Sequence, residues 1–193
     1  MTVFLIDTER TELDVEVHPS LFGFRVHITG LRGEVDGTLL ADGTVDLTST
    51  VGARISMNVD DLDLGSPLVT RTTHRALGLA TDGSVSASLI DVTPTDGSTG
   101  EDGDDLDAGV APGQGFRFTF EVESGALRGR LGAQATVLTA DDGSVTITGA
   151  TEFGATDFDV HLPGLSHLRG ICRWTVVVVP TADLTSRQIG SSI

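Results

Sequence analysis

Most of the chain alternates apolar and polar residues with a period of two, which is typical of β-strands with one buried face. Turn signals such as Asp42-Gly43 and Asp142-Gly143 separate these segments at intervals of about eight to twelve residues. We predict strands over 3–6, 11–17, 21–29, 31–40, 44–48, 54–59, 84–92, 115–122, 127–139 (as a less regular pair), 144–153 and 171–179. This pattern indicates an all-β protein built as an antiparallel barrel or sandwich.

The last predicted strand, 171–179, is apolar on both faces. One face carries Cys172, Trp174, Val176 and Val178, and the other carries Val177 and Val179. A strand of this kind is normally covered on both sides, so we expect it inside the assembly. Cys172 shares a face with Trp174, which indicates a buried structural thiol and not a nucleophile.

Only one stretch has the spacing of a helix. Ser66 suits the N-cap and Pro67 the first helical position, and apolar residues then recur at helical spacing up to Gly78. The sequence therefore predicts one short helix at 66–78.

The alternation stops between residues 93 and 115. This segment is rich in aspartate, glycine and proline, and it contains few apolar side chains that could be buried. We predict a mobile acidic loop there. With this loop included, we expect residues 1–185 to form a single domain and 186–193 a polar tail.

The formal net charge is −16, and all twelve basic residues other than histidine are arginines. A field of this sign repels nucleic acids and anionic membrane surfaces, so we expect neither as a partner. The chain contains no apolar run long enough for a transmembrane helix, and we expect no stable membrane insertion. Its first residues lack the features of a secretory leader, which favours a cytoplasmic protein.

Catalytic motifs are absent from the sequence. It has no glycine-rich phosphate loop, no Gly-x-Ser-x-Gly elbow, no Cys-x-x-Cys pair and no His-Glu-x-x-His motif. His161 and His167 flank a turn but give only a faint metal signal, and Asp157 is a solvated aspartate. We therefore predict no catalytic residues, no metal site and no cofactor.

Several short motifs resemble those of the YceI-like family. They are the alternating strand 11–18, the glycine-marked segment 31–35, Arg71 with His74 three residues later in the helical stretch, and Thr156-Asp157-Phe158 before a long final strand. This resemblance implies a lipocalin-like barrel of about eight antiparallel strands. It also implies a hollow interior that binds an isoprenoid or quinone-like lipid without catalysis.

The predicted ligand-binding residues are apolar side chains that face the barrel interior. They are Val15, Val17, Phe24, Val26, Ile55, Met57, Phe116, Phe118, Phe120, Phe158 and Trp174. If the ligand has a polar head, Arg71, His74 and Arg75 are the candidates to meet it at the rim.

Two alternatives remain open. A small barrel can be filled by its own side chains, and the protein would then be a structural or interaction module. Such a module could form a homodimer through the outer face that bears Val177 and Val179. An enzyme acting on a lipid at the rim, with His74 or Asp157, is the third hypothesis.

Overall fold

The structure, a computed structural model, describes residues 2–18, 24–28, 30–39, 45–46, 52–58, 83–95, 114–125, 127–158 and 169–181. The predicted helix at 66–78, most of the acidic loop and the polar tail lie outside these ranges. Within them, no helix has the length and apolar character needed to cross a membrane.

The described ranges contain eleven strands, which follow the predicted alternating segments closely. They are β1 (Thr2–Ile6), β2 (Glu12–His18), β3 (Phe24–Ile28), β4 (Arg32–Leu39), β5 (Val45–Asp46), β6 (Ala53–Asn58), β7 (Ser84–Pro94), β8 (Gln114–Ser124), β9 (Leu127–Thr139), β10 (Val145–Gly154) and β11 (Arg169–Pro180). A 3-10 turn, Ala155–Asp157, follows β10.

The sheet closes on itself as a barrel. Strands β1, β4, β6, β7, β8, β9, β10 and β11 are neighbours in that order, and β1 pairs again with β11. All of these pairings are antiparallel. The prediction of an antiparallel barrel of about eight strands is therefore confirmed.

Strands β1 and β2 lie in succession along the same edge of β11. Pairing of β1 ends at Ile6 opposite Val178, and pairing of β2 begins at Glu12 opposite Thr175. The five intervening residues form a bulge beside Val177. The Val177 carbonyl accepts from the Asp7 amide at 2.8 Å, and the Val177 amide donates to the Thr11 hydroxyl at 3.0 Å. A side chain thus replaces a backbone acceptor where the ladder is interrupted.

Both faces of β11 are covered toward its end. Val176 and Val178 belong to the hydrophobic core, and Val177 and Val179 on the other face are only 6% and 5% exposed. The expectation that this strand is buried on two sides is confirmed. Because Val177 and Val179 are buried within a single chain, they do not offer the open face that the dimer alternative requires.

The boundaries of three elements differ from those predicted. The segment 127–139 is one strand and not a pair, because it is held by long neighbours on both sides. Strand β7 continues to Pro94, which lies opposite Phe116, with an irregularity between Leu89 and Asp91. Strand β8 already begins at Gln114, so both ends of the predicted 93–115 loop belong to strands.

Candidate apolar site in the barrel interior

The interior of the barrel is organised around a stripe of aromatic residues on β8. Phe116, Phe118 and Phe120 lie on one face, and the ring centroids of successive members are 6.0 Å apart. Small residues of β9 lie opposite two of them, with Ala135 facing Phe116 and Ala133 facing Phe118. Large and small side chains therefore interdigitate across this strand pair, as close packing requires.

One end of the barrel is closed by this packing. Phe116 and Phe118 are each 3% exposed. They belong to one cluster of buried residues together with Phe4, Ile6, Val35, Ala53, Ala133, Ala135, Val137, Val145, Ile147, Val176 and Val178. Phe116 and Phe118 therefore lie in a filled core, not in the wall of a cavity.

Beyond Phe118 the interior opens into an apolar cavity of about 190 Å³. Eight of the strands or their ends contribute to its wall. The lining residues are Leu13, Leu31, Ile55, Ser56, Met57, Val85, Ala87, Phe120, Val122, Leu131, Thr151, Cys172, Trp174 and Val176. Among these residues there is no charged side chain and no histidine, so the cavity suits an apolar molecule.

Trp174 stands at the boundary between the filled end and the cavity. Its ring meets Phe118 and Phe120 edge-on, with centroid distances of 6.4 Å and 6.3 Å. The indole Nε1 donates to the Thr151 hydroxyl at 3.4 Å. This bond gives the one N–H of the ring a partner inside an otherwise apolar region.

The space for the indole is provided by Gly149, which lies opposite Trp174 on β10. A Cβ atom at position 149 would lie 2.7 Å from the Trp174 ring atom Cζ2 and 2.8 Å from the Ala135 Cβ. These separations are too short for nonbonded carbon atoms. Glycine is therefore required here by close packing.

Four of the predicted ligand-binding residues line the cavity: Ile55, Met57, Phe120 and Trp174. Val15, Val17 and Val26 share the face of β2 and β3 that carries Leu13, because Val15 lies opposite both Cys172 and Val26. These three valines are not part of the cavity wall. The side chain of Phe24 and the rim candidates Arg71, His74 and Arg75 lie outside the described residues.

Phe158 packs at a different place from the cavity. It forms an isolated bridge with Gly129, and its ring meets that of Phe153 edge-on at 6.3 Å. Gly129 and Gly170 leave room for the two rings, since a Cβ on either glycine would collide with them. The predicted inward aromatic is present, but it belongs to this separate pair.

The remaining wall residues were not predicted as ligand contacts, although several lie in strands that the alternation predicted. Leu13 in the strand 11–17 and Val85 and Ala87 in the strand 84–92 are examples. Thr151 and Leu131 carried no comparable signal. The strand periodicity identifies which residues point into the barrel. The height of each residue along the barrel axis depends on the register between strands that are distant in sequence.

Cys172 also faces the cavity, and its chemistry is that of a neutral thiol. Burial, together with the nearby Asp14 carboxylate, raises the pKa of Cys172 to about 12. The thiolate is therefore scarce near neutral pH, and the residue is a poor nucleophile. This agrees with the expectation of a structural cysteine.

A second, larger depression lies at the end of the barrel near His18 and Arg169. It has a volume of about 560 Å³ and is lined by His18, Glu152, Phe153, Gly154, Thr156, Asp157, Arg169, Gly170 and Ile171. Asp157 is already engaged, since its Oδ2 accepts from the Gly154 amide at 2.6 Å. This groove carries charges of both signs, so its lining does not suit an apolar ligand.

The outer face beside this groove is a solvated network of charges. Glu16 bonds to Arg25 at 3.3 Å and lies 3.6 Å from Arg173, and the Asp14 carboxylate contacts His27 at 3.1 Å. The hydrogen bond from Arg25 lowers the pKa of the Glu16 carboxyl. Within the described part of the chain, no group of three His, Cys, Asp or Glu side chains could hold a metal ion.

Comparison with known proteins identifies the fold. Neither a protein-family model nor a curated protein matches the chain in sequence. Among solved structures, BcnA of Burkholderia cenocepacia is similar, with a TM-score of 0.59 and 11% identity over 89% of this chain and 98% of that one.

A polyisoprenoid binding domain from Saccharophagus degradans, implicated in plant cell wall breakdown, is similar to the same degree. Its TM-score is 0.59 and its identity 10%, over 93% of this chain and 99% of that one. At this identity the likeness concerns the fold, and the fold expected from the YceI-like resemblance is confirmed.

Proposed function

We propose that the protein binds an isoprenoid-type apolar ligand in the barrel cavity and holds it without chemical change. The observation that carries this proposal is the apolar cavity of about 190 Å³ beside Phe120 and Trp174, in a barrel whose other end is densely packed. A barrel that served only as a scaffold would gain stability by filling this space as well.

The energetics of such binding are favourable without polar contacts. Each buried CH₂ group contributes about 0.8 kcal/mol, so a five-carbon unit contributes roughly 4 kcal/mol before the cost of immobilisation. Apolar cavities of about 150 Å³ in other proteins stay dry and bind benzene.

The composition of the wall also argues against catalysis in the cavity. The residues of the wall that have a polar side-chain atom are Ser56, Thr151, Cys172 and Trp174. Since the pKa of Cys172 is raised to about 12, none of these groups is a ready base or nucleophile near neutral pH. A carrier or binding role needs no such group.

The similar Saccharophagus degradans domain, which is named for polyisoprenoid binding, supports the choice of ligand class. The partner in this proposal is a hydrophobic small molecule of isoprenoid or quinone type. Two further points stay predictions from the sequence. They are a cytoplasmic location and a contact between the head group of the ligand and Arg71, His74 and Arg75.

Intrinsic fluorescence offers a direct test, because Trp174 is the only tryptophan and the chain has no tyrosine. Titration with geraniol, an isoprenoid alcohol of two five-carbon units, should change the Trp174 emission saturably, with a Kd of roughly 10 μM to 1 mM. In the matched variant Ala87→Leu the added side chain occupies the cavity, and the response should be lost while the thermal melt is retained. A wild-type emission that geraniol leaves unchanged would contradict the proposal.

A further inference from the structure

We infer that the cavity admits only about one to two five-carbon units, so that the protein selects short isoprenoids over long polyisoprenoid tails. This inference rests on the proposed function and names the size of its ligand. It follows from three features of the interior: the depth of the cavity, its volume and the composition of its floor.

The depth is set by how many inward residues each strand contributes. Strand β8 supplies Phe120 and Val122, and β6 supplies Ile55 and Met57, each pair two residues apart. Strand β11 supplies three, from Cys172 to Val176. At about 3.3 Å per residue, the wall extends only ~7–13 Å along the strands.

The volume leads to a similar limit. A cavity of about 150 Å³ accommodates benzene, which has six carbons. In proportion, the cavity of about 190 Å³ holds roughly seven or eight carbons. One five-carbon unit therefore fits fully and a second fits in part, and any further unit would remain outside the cavity.

The floor of the cavity, formed by Phe120 and Trp174, cannot move inward, because the core beneath it is packed. In that core Phe118 is 3% exposed, and its ring centroid lies 6.0 Å from those of Phe116 and Phe120. Trp174, which shares the floor, lies so close to the backbone at Gly149 that a single added methyl group would collide with it. A longer tail could not enter without displacing packed aromatic rings.

The test is a series of isoprenoid alcohols with one, two, three and four five-carbon units and the same hydroxyl head, titrated against Trp174 fluorescence below their aggregation limits. Burying a whole unit should lower Kd by about 100-fold or more. We expect Kd to fall by about tenfold from the first to the second alcohol, since the second unit fits only in part, and to change less than about threefold thereafter.

Two variants move the limit in opposite directions. Phe118→Ala removes a ring from the packed core beneath the floor and should shift the plateau to the alcohol of three units. Ala87→Leu narrows the cavity between Ile55 and Val122, its cross-strand neighbours, and should weaken binding of the two-unit alcohol at least about tenfold. Ala87→Leu removes no core contact, so it remains informative if Phe118→Ala does not fold.

The outcomes separate the size limit from the binding function. If the wild-type Kd falls by about tenfold or more with every added unit up to four, the size limit is overturned while ligand binding stands. If no alcohol changes the Trp174 emission and native mass spectrometry detects no bound alcohol, the binding function itself is overturned, and the size limit with it.

Discussion

Gly149 and Trp174 face each other across strands β10 and β11, and the indole ring occupies the space where a side chain at position 149 would begin. Through this contact the ring is held edge-on against Phe118 and Phe120. The boundary between the filled and hollow parts of the barrel thus depends on a residue without a side chain.

Adding one methyl group at this contact should be costly. In Gly149→Ala the new Cβ would lie 2.7 Å from the Trp174 ring, and we expect a loss of about 1–3 kcal/mol of unfolding free energy from overpacking. Urea unfolding measures the change. The matched control is Gly132→Ala, where a Cβ would meet nothing within 4 Å, and its stability should stay within about 1 kcal/mol of wild type. Equal losses in the two variants would contradict the packing account.

Replacing alanine by leucine should have different effects in the filled and the hollow part of the barrel interior. In Ala133→Leu the larger side chain enters the packed layer opposite Phe118, and we expect about 1–3 kcal/mol of destabilisation. In Ala87→Leu it enters the cavity, and the stability should be unchanged or increased. Thermal or urea unfolding of the two variants compares them. A strongly destabilised Ala87→Leu protein would indicate that no cavity exists at that level.

The Thr11 hydroxyl should stabilise the fold by accepting a hydrogen bond from the Val177 amide at the bulge. Thr11 is 2% exposed, and in Thr11→Val the Val177 amide loses its 3.0 Å partner. We expect a cost of about 1–3 kcal/mol in unfolding free energy. Thr11→Ser retains the hydroxyl and should recover part of this loss. If the valine and serine variants are equally stable, the hydrogen bond makes no measurable contribution.

The raised pKa of Cys172 predicts slow alkylation. With a pKa of about 12, the thiol should react with N-ethylmaleimide far more slowly than free cysteine at pH 8, and the rate should rise about tenfold per pH unit up to pH 10. Mass spectrometry follows the reaction. Saturating geraniol should slow it further, because Cys172 lines the cavity. Alkylation at the rate of free cysteine, with or without geraniol, would contradict this environment for the thiol.

The same pKa has a consequence for stability. The thiol ordinarily ionises near pH 9.0, so above that value the unfolded chain releases a proton that the folded chain keeps until about pH 12. Folding stability should therefore fall as the pH rises from about 9 toward 12. Cys172→Ala lacks this contribution, and the difference in unfolding free energy between wild type and variant should shift against wild type over that range. A difference that is constant with pH would rule out the raised pKa.

Local alternation predicted the strands of this fold well, because each of the eight barrel strands has one face in the barrel interior. It could not predict which inward residues border a cavity. Phe116 and Phe120 belong to the same stripe, yet one is buried in the filled core and the other lines the cavity. The difference depends on which side chains of β9 and β11 lie beside each phenylalanine. Those neighbours are set by the register between strands, which a local sequence pattern does not encode.

The same limitation explains two of the three boundaries that were predicted incorrectly. Gly129 and Gly132 interrupt the alternation of β9, but eleven residue pairs with β8 hold the strand continuous. Pro94 is normally a strand breaker, yet β7 carries it opposite Phe116 at its very end. Tertiary pairing overrode local propensity in both places.

Binding of an isoprenoid in the cavity is tested most directly by a crystal structure of the protein with geraniol. We expect ligand density within the cavity, in contact with Ala87, Phe120 and Trp174, and with Phe116 and Phe118 unmoved. A structure in which wall side chains fill that space and geraniol is absent would contradict it.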